Sequence, residues 1–139
     1  MKHKILIVDD EENILFITKT AFEQHYEVFT APDGEMALEI IKRERPLLVF
    51  LDIKMPGKSG MEVLEAIGNM SVPPLVWMLT GDEDLDTALK TLSIGASGYV
   101  TKPFDLARLR EIVLGAVEAA ESAGGKPSAR PWKVKKKKE

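Results

Sequence analysis

The chain has 139 residues, 45% of them hydrophobic and 29% charged, with no cysteine and a formal net charge of −3. That length fits one domain with a core of its own, and the missing thiols exclude disulfides, thiolate nucleophiles and zinc–sulfur sites. The charge is uneven: residues 124–139 hold seven of the 19 Lys and Arg and one of the 22 Asp and Glu, so this tail carries +6 and residues 1–123 carry −9.

Taken in chain order, strand and helix patterns alternate five times. Ile5-Leu6-Ile7-Val8 is a short apolar run that leads into Asp9-Asp10. Glu11 to Gln24 reads as a helix with Ile14, Ile17, Thr18, Ala21 and Phe22 inward, and acidic residues at its positive end. Tyr26 to Thr30 is a weakly alternating strand, and Pro32-Asp33-Gly34 a turn. Glu35 to Arg43 is a helix presenting Met36, Ala37, Ile40 and Ile41. Leu47 to Leu51 runs into Asp52, followed by the loop Lys54-Met55-Pro56-Gly57-Lys58-Ser59-Gly60 and a short helix marked by Met61, Val63, Leu64 and Ile67.

Leu75 to Leu79 runs into Thr80. Asp82 to Ser93 is a helix with Leu85, Ala88, Leu89 and Leu92 on one stripe. Gly95 and Gly98 bracket the return to Tyr99-Val100-Thr101, which runs into Lys102-Pro103. Phe104 to Ala120 is the last helix, with Leu106, Leu109, Val113, Ala116, Val117 and Ala120 inward. From residue 123 the composition turns linker-like and then cationic, so 1–122 is read as the domain and 123–139 as a basic, disordered tail or linker. A solvated end accounts for the lysines, and nucleic-acid contact is not expected of them. No apolar run exceeds five residues, against the ~18 that a membrane span needs. With no signal-peptide pattern at Met1-Lys2-His3-Lys4, the expected location is cytoplasmic, without membrane contact.

Short apolar strands alternating with helices imply right-handed βαβ units and a parallel sheet covered on both faces. Ligands of such sheets bind beyond the carboxyl ends of the strands. That edge would gather Asp9, Asp10, Asp52, Thr80 and Lys102. Carboxylates about 4 Å apart repel by roughly 4 kcal/mol per pair at an effective dielectric near 20. Such a cluster calls for protonation or a cation, and oxygen-only ligands select a hard ion, with Mg²⁺ the natural choice. Aspartate is a competent nucleophile toward phosphorus. Asp52, on the central strand, is the candidate nucleophile, with Asp9 and Asp10 as metal ligands. Lys102 and Thr80 would hold the remaining oxygens.

With these residues in view, the chain resembles the receiver domain of two-component response regulators. The resemblance lies in Ile-Leu-Ile-Val-Asp-Asp-Glu at 5–11, Leu-Asp-Ile-Lys-Met-Pro-Gly-Lys-Ser-Gly at 51–60, Leu-Thr-Gly at 79–81 and Gly-Tyr-Val-Thr-Lys-Pro-Phe at 98–104, and covers residues 4 to about 122. It implies a flavodoxin-like (βα)5 fold, an α/β, doubly wound, five-stranded parallel sheet of order 2-1-3-4-5. It implies that Asp52 accepts a phosphoryl group from a histidine kinase. Asp10 and Asp52 would ligate Mg²⁺ directly, Asp9 through water, and the Lys54 backbone carbonyl would complete the set. Lys102 would contact the phosphoryl group, with a cis bond to Pro103, while Thr80 moves toward it and Tyr99 follows inward. The face of helix 4, strand 5 and helix 5 would be the output surface, for a phosphorylation-dependent homodimer or a downstream effector protein. Lys54 and Asp82, at positions that tune hydrolysis in relatives, would meet across the mouth of the site. Catalysis would be limited to the domain's own phosphorylation and dephosphorylation.

Two other classes fit less well. An aspartyl-nucleophile phosphatase would place its nucleophile after strand 1 with a second Asp two positions on, where this chain has Glu11. A flavodoxin-like cofactor binder would need a glycine- and hydroxyl-rich phosphate loop there, and Asp9-Asp10-Glu11-Glu12 would repel a phosphate. No helix-turn-helix, ATPase or cyclase pattern follows residue 122. A single-domain regulator and a chain stopping in a linker both remain open.

Overall fold

The computed structural model describes residues 2–81 and 84–122. Asp82 and the basic tail, 123–139, lie outside the described residues, and with them the expectations placed on both. Ten elements alternate: β1 (Lys4–Val8), α1 (Glu12–Phe22), β2 (Glu27–Ala31), α2 (Gly34–Glu44), β3 (Leu48–Asp52), α3 (Gly60–Gly68), β4 (Leu75–Thr80), α4 (Leu85–Ile94), β5 (Gly98–Thr101) and α5 (Leu106–Ser122). The five strands form one sheet in the order β2-β1-β3-β4-β5, with every pairing parallel. Two boundary shifts bear on function. Asp52 and Thr80 are the last residues of β3 and β4 rather than the first beyond them, and α5 begins at Leu106, which leaves Pro103 to Asp105 as a loop.

Side chains alternate between faces along each strand, and the sheet therefore splits the interior into two cores. Leu6, Val8, Val49, Leu51, Val76 and Met78 face the α2–α3–α4 layer, with Ala37, Ile40, Val63, Leu64, Ile67 and Ala88. Ile5, Ile7, Leu48, Phe50, Leu79 and Val100 face the α1–α5 layer, with Phe22, Leu109, Ile112, Val113 and Ala116. All of β3 is buried, as a central parallel strand covered on both sides must be.

Four residues expected to face inward are instead largely exposed: Ile17 on α1, Met36 on α2, and Leu85 and Leu89 on α4. The α4 case has a clear cause. This helix lies against α3 and β4 near the sheet edge, where β5 has only four residues, so its contact is narrow. Ala88 and Thr91 fill that contact, and the wide leucine stripe rotates partly into solvent. On α5 the inward face gains Ile112, which lies outside the stripe read from the sequence.

The loop after β3 is closed tightly. Ser59 and Glu62 form a reciprocal capping box on α3, and Gly60 N donates to Ile53 O at 2.8 Å. A Cβ on Gly60 would run into the Asp52 carbonyl oxygen and stand 2.8 Å from Ile53 Cα. Glycine therefore permits α3 to start directly against the end of β3, which fixes the strand tip that carries Asp52.

Gly60→Ala is expected to destabilise the fold by about 2 kcal/mol, the cost of overpacking against backbone that has no room to yield. A methyl group on Gly115 of α5 would meet nothing within 4 Å. Gly115→Ala should therefore stabilise by about 0.5–1 kcal/mol through helix propensity. Urea titration of the two variants checks both, and matching midpoints would rule out the tight contact at Gly60.

Candidate functional site

The strand tips converge as the topology requires. β1 and β3 are neighbours, β3 and β4 are neighbours, and β5 follows at the edge. Asp9, Asp10 and Asp52 each offer a carboxylate oxygen, and those atoms lie within 4.8 Å of one another. Asp9 and Asp52 are buried and Asp10 is exposed. Lys102 reaches in from beyond β5. Its Nζ lies 2.9 Å from Asp9 Oδ2, 3.2 Å from Asp52 Oδ2 and 3.5 Å from Glu11 Oε2. The Lys102 amide donates to the Thr80 carbonyl at 2.8 Å, and the Lys102–Pro103 peptide is cis.

Strand parity explains which groups meet. Asp52 follows Leu48 and Phe50, Asp9 follows Ile5 and Ile7, and Lys102 follows Val100, all on the α1–α5 side. Thr80 continues the opposite alternation, after Val76 and Met78, and Tyr99 packs in that same α2–α3–α4 core. Accordingly Thr80 Oγ1 donates to the adjacent Gly81 carbonyl at 3.0 Å, and Tyr99 is half-buried beside the α4 layer. The predicted site residues among those described lie at this edge except Tyr99, which sits two residues before the end of β5, level with Met78; the acidic cluster and Lys102 form one group, and Thr80 and Tyr99 share the opposite face.

The electrostatics are those of a site short of positive charge. Burial, and after it the charge of Asp9, pushes the Asp52 carboxyl up to about 7, although Lys102 and the Lys54 backbone amide work against the rise. Burial would lower the Lys102 ammonium, but its hydrogen bonding and charge pairing with Asp9 and Asp52 outweigh this and raise it. Asp9 Oδ1 accepts from Glu11 N at 2.9 Å. Asp9 Oδ2 is fully buried, and its contact is the Lys102 ammonium that Asp52 shares. Three acids served by one shared lysine fit a hard divalent cation bound through oxygen.

Two residues at the site carry no mark in the sequence that sets them apart. Glu11 reads as a helix start, yet its carboxylate joins the Lys102 contacts. Its place directly after Asp9-Asp10 is the available clue. Asp84 lies 3.6 Å from the Lys54 ammonium. The expected partner of Lys54 is Asp82, and its partner among the described residues is Asp84. No sequence pattern marks that pairing. Beside the site a cleft of about 400 Å³ is lined by Ile14, Ile17, Thr18, Pro103, Phe104 and Leu106, with Glu11 and Lys102 at its polar end.

A family model described as the response regulator receiver domain matches residues 5–114. Over 114 residues the chain is 37% identical to sporulation initiation phosphotransferase F of Bacillus subtilis (strain 168), covering 81% of this chain and 92% of that one. It is 40% identical over 133 residues to a Porphyridium aerugineum protein named "Probable transcriptional regulator ycf27", covering 92% of this chain and 55% of that one. Among solved structures, a CheY-like response regulator receiver domain protein from Methanospirillum hungatei JF-1 superposes with a TM-score of 0.82 at 32% identity, covering 88% of this chain and 99% of that one. The receiver domain of NtrX from Brucella abortus gives 0.76 at 33% identity, with 82% and 98% covered.

The raised Asp52 value links protonation to stability. Its ordinary value is 3.8 and its folded value about 7, so between those limits the folded state holds the proton more tightly and stability falls as pH rises. In metal-free buffer, Asp52→Asn should raise the melting temperature most above pH 7, with the gain shrinking as pH drops toward 4. Thermal melts across that range check it, and a gain that grows toward acid would contradict the burial-driven shift.

Proposed function

The chain belongs to the response regulator receiver domain family of two-component systems, and on that premise we propose that Asp52 accepts a phosphoryl group from the phosphohistidine of a sensor histidine kinase in a Mg²⁺-dependent reaction. One observation supports this above the rest: a single ammonium, Lys102 Nζ, touches both Asp9 and Asp52 while Asp10 completes a compact acid cluster. The name of the Bacillus subtilis relative, a phosphotransferase matched over nearly its full length, agrees with phosphoryl transfer.

In this reading the Asp52 carboxylate attacks phosphorus. A P–O bond forms, the P–N bond to the histidine breaks, and its electron pair returns to the imidazole. Asp10 and Asp52 would hold Mg²⁺ directly, Asp9 through water, and the Lys54 backbone carbonyl would complete the protein ligands. A bound Mg²⁺ supplies charge neutralisation that one lysine cannot. Lys102 then turns from two carboxylates to the incoming oxygens, whose negative charge would keep it cationic as the carboxylates do at rest. The Thr80 hydroxyl would leave Gly81 to donate to a phosphoryl oxygen, and Tyr99 would move inward on the α4 side. The domain catalyses only its own phosphorylation and dephosphorylation.

We assign the output to the surface of α4, β5 and α5, where Leu85, Leu89 and Leu114 are exposed. Its partners would be a second phosphorylated copy or a downstream effector protein. The 55% coverage of the relative named as a transcriptional regulator agrees with an effector on a longer chain. Among the described residues no helix is long and apolar enough to cross a membrane, and we place the domain in the cytoplasm, where the kinase's phosphohistidine would be presented.

Incubation with acetyl phosphate and Mg²⁺ should add one phosphoryl mass to the wild type and none to Asp52→Asn, with chelator abolishing the labelling. Labelling of Asp52→Asn at the wild-type rate would refute the assignment. Asp9→Asn should weaken Mg²⁺ about 10–100-fold, as loss of an outer ligand does, measured by calorimetric Mg²⁺ titration. Sedimentation with beryllofluoride should show self-association that Leu89→Asp suppresses; an unchanged monomer would remove the homodimer from the scheme.

A further inference from the structure

Asp84 stands at the N-cap of α4, where an aspartate ordinarily accepts a hydrogen bond from the second or third helical amide. It makes no such bond, and its backbone (φ −108°, ψ 18°) lies outside the extended region that Asp33 and Ser59 occupy as caps. Its carboxylate, with only 13% of the side chain exposed, lies 3.6 Å from the Lys54 ammonium instead. The same fold shows the ordinary arrangement elsewhere: Asp33 caps α2 by accepting from Met36 N at 2.9 Å, and Ser59 caps α3 through Glu62 N. Lys54 belongs to the loop after β3, and its backbone amide is close enough to the Asp52 carboxyl to pull its proton affinity down. The side chain that holds Asp84 is therefore rooted beside the candidate phosphoacceptor.

We propose that Asp84 is a two-position carboxylate, held by Lys54 while Asp52 is unmodified and released, with its backbone turning extended, to cap α4 once Asp52 carries a phosphoryl group. The release half rests on the phosphoryl-transfer reading above. A phosphoryl group brings nearly two negative charges next to the root of Lys54, and these compete with Asp84 for the ammonium. The two positions of Asp84 are close in strength, since an ion pair with a solvent-exposed lysine is worth a factor of about five or less and a helix cap a factor of roughly ten or less. Closely matched alternatives are what a local change of charge can tip. Lys54 and Asp84 are positioning residues here; neither touches the phosphorus. Their effect is to couple the charge at Asp52 to the order of the first turn of α4, the helix that carries the exposed Leu85 and Leu89.

Hydrogen exchange at the Asp86 and Thr87 amides, the second and third of α4, reads the cap directly in the full-length chain. Without phosphoryl donor, Lys54→Met and Asp84→Asn should each slow these amides about 3–5-fold relative to wild type. The first frees the carboxylate, and the second keeps a capping oxygen while discarding the charge that Lys54 holds. Asp84→Ala should not slow them. With acetyl phosphate and Mg²⁺, wild type should slow by a similar factor and Asp84→Ala should not. Unchanged exchange in unmodified Lys54→Met overturns the proposal, as does phosphorylation-dependent slowing that survives in Asp84→Ala. A wild type that gains no phosphoryl mass sinks the transfer reading and the release half with it, while the Lys54→Met exchange still decides the resting contact.

Discussion

Everything at the carboxyl edge of this sheet is organised by one imbalance: three aspartates share a space in which a single ammonium stands between two of them. Lys102 does not neutralise the group; it makes the group tolerable. The buried Asp52 carboxyl remains pushed up to about 7 even with Lys102 in contact. A site left in that condition gains from any added positive charge. It can also receive an oxygen-rich anion only if that charge arrives with it. The fold supplies the geometry for this imbalance through its central strand, which is buried along its whole length and ends in the acid.

The sheet also divides the work. Asp9, Asp52 and Lys102 continue the alternation that faces α1 and α5, while Thr80 and Tyr99 continue the one that faces α4. In the proposed switch, chemistry and response would start on opposite sides of a layer one residue thick. Communication between them would then pass round the strand tips, through the loops after β3 and β4. The contact between Lys54 and Asp84 spans those two loops, and the Lys102 amide bonded to the Thr80 carbonyl links the last two strands.

Most of this is legible in the sequence because parallel strands covered on both faces advertise themselves as short unbroken apolar runs. The residue that ends each run is then placed by topology alone. Asp9, Asp10, Asp52, Thr80 and Lys102 can be put at one edge without coordinates. Orientation is what the sequence withholds. Ile17, Met36, Leu85 and Leu89 satisfy a helical stripe, yet the width of stripe that is buried depends on how much sheet lies beneath, and α4 sits over the narrow end. Glu11 is hidden by its double role as helix start and ion-pair partner. Asp84 is hidden because Asp82 to Ser93 reads as one helix with Asp84 inside its first turn, and only the structure places it at the N-cap, where it caps nothing. Gly60 reads as a loop residue, whereas its lack of a side chain is what lets α3 close on the end of β3.

The alternation of side chains carries one more implication, for how such a chain can change over time. Adding or deleting a single residue within β4 or β5 would send the terminal hydroxyl or ammonium to the wrong face while leaving the apolar run looking intact. Insertions and deletions should therefore be tolerated in the turns at the far edge of the sheet, such as the one entering β4 through Val72-Pro73-Pro74. The stretches that end at Thr80 and Lys102 are held to a fixed count. At this edge spacing decides which face a side chain reaches, and residue type decides what it does there.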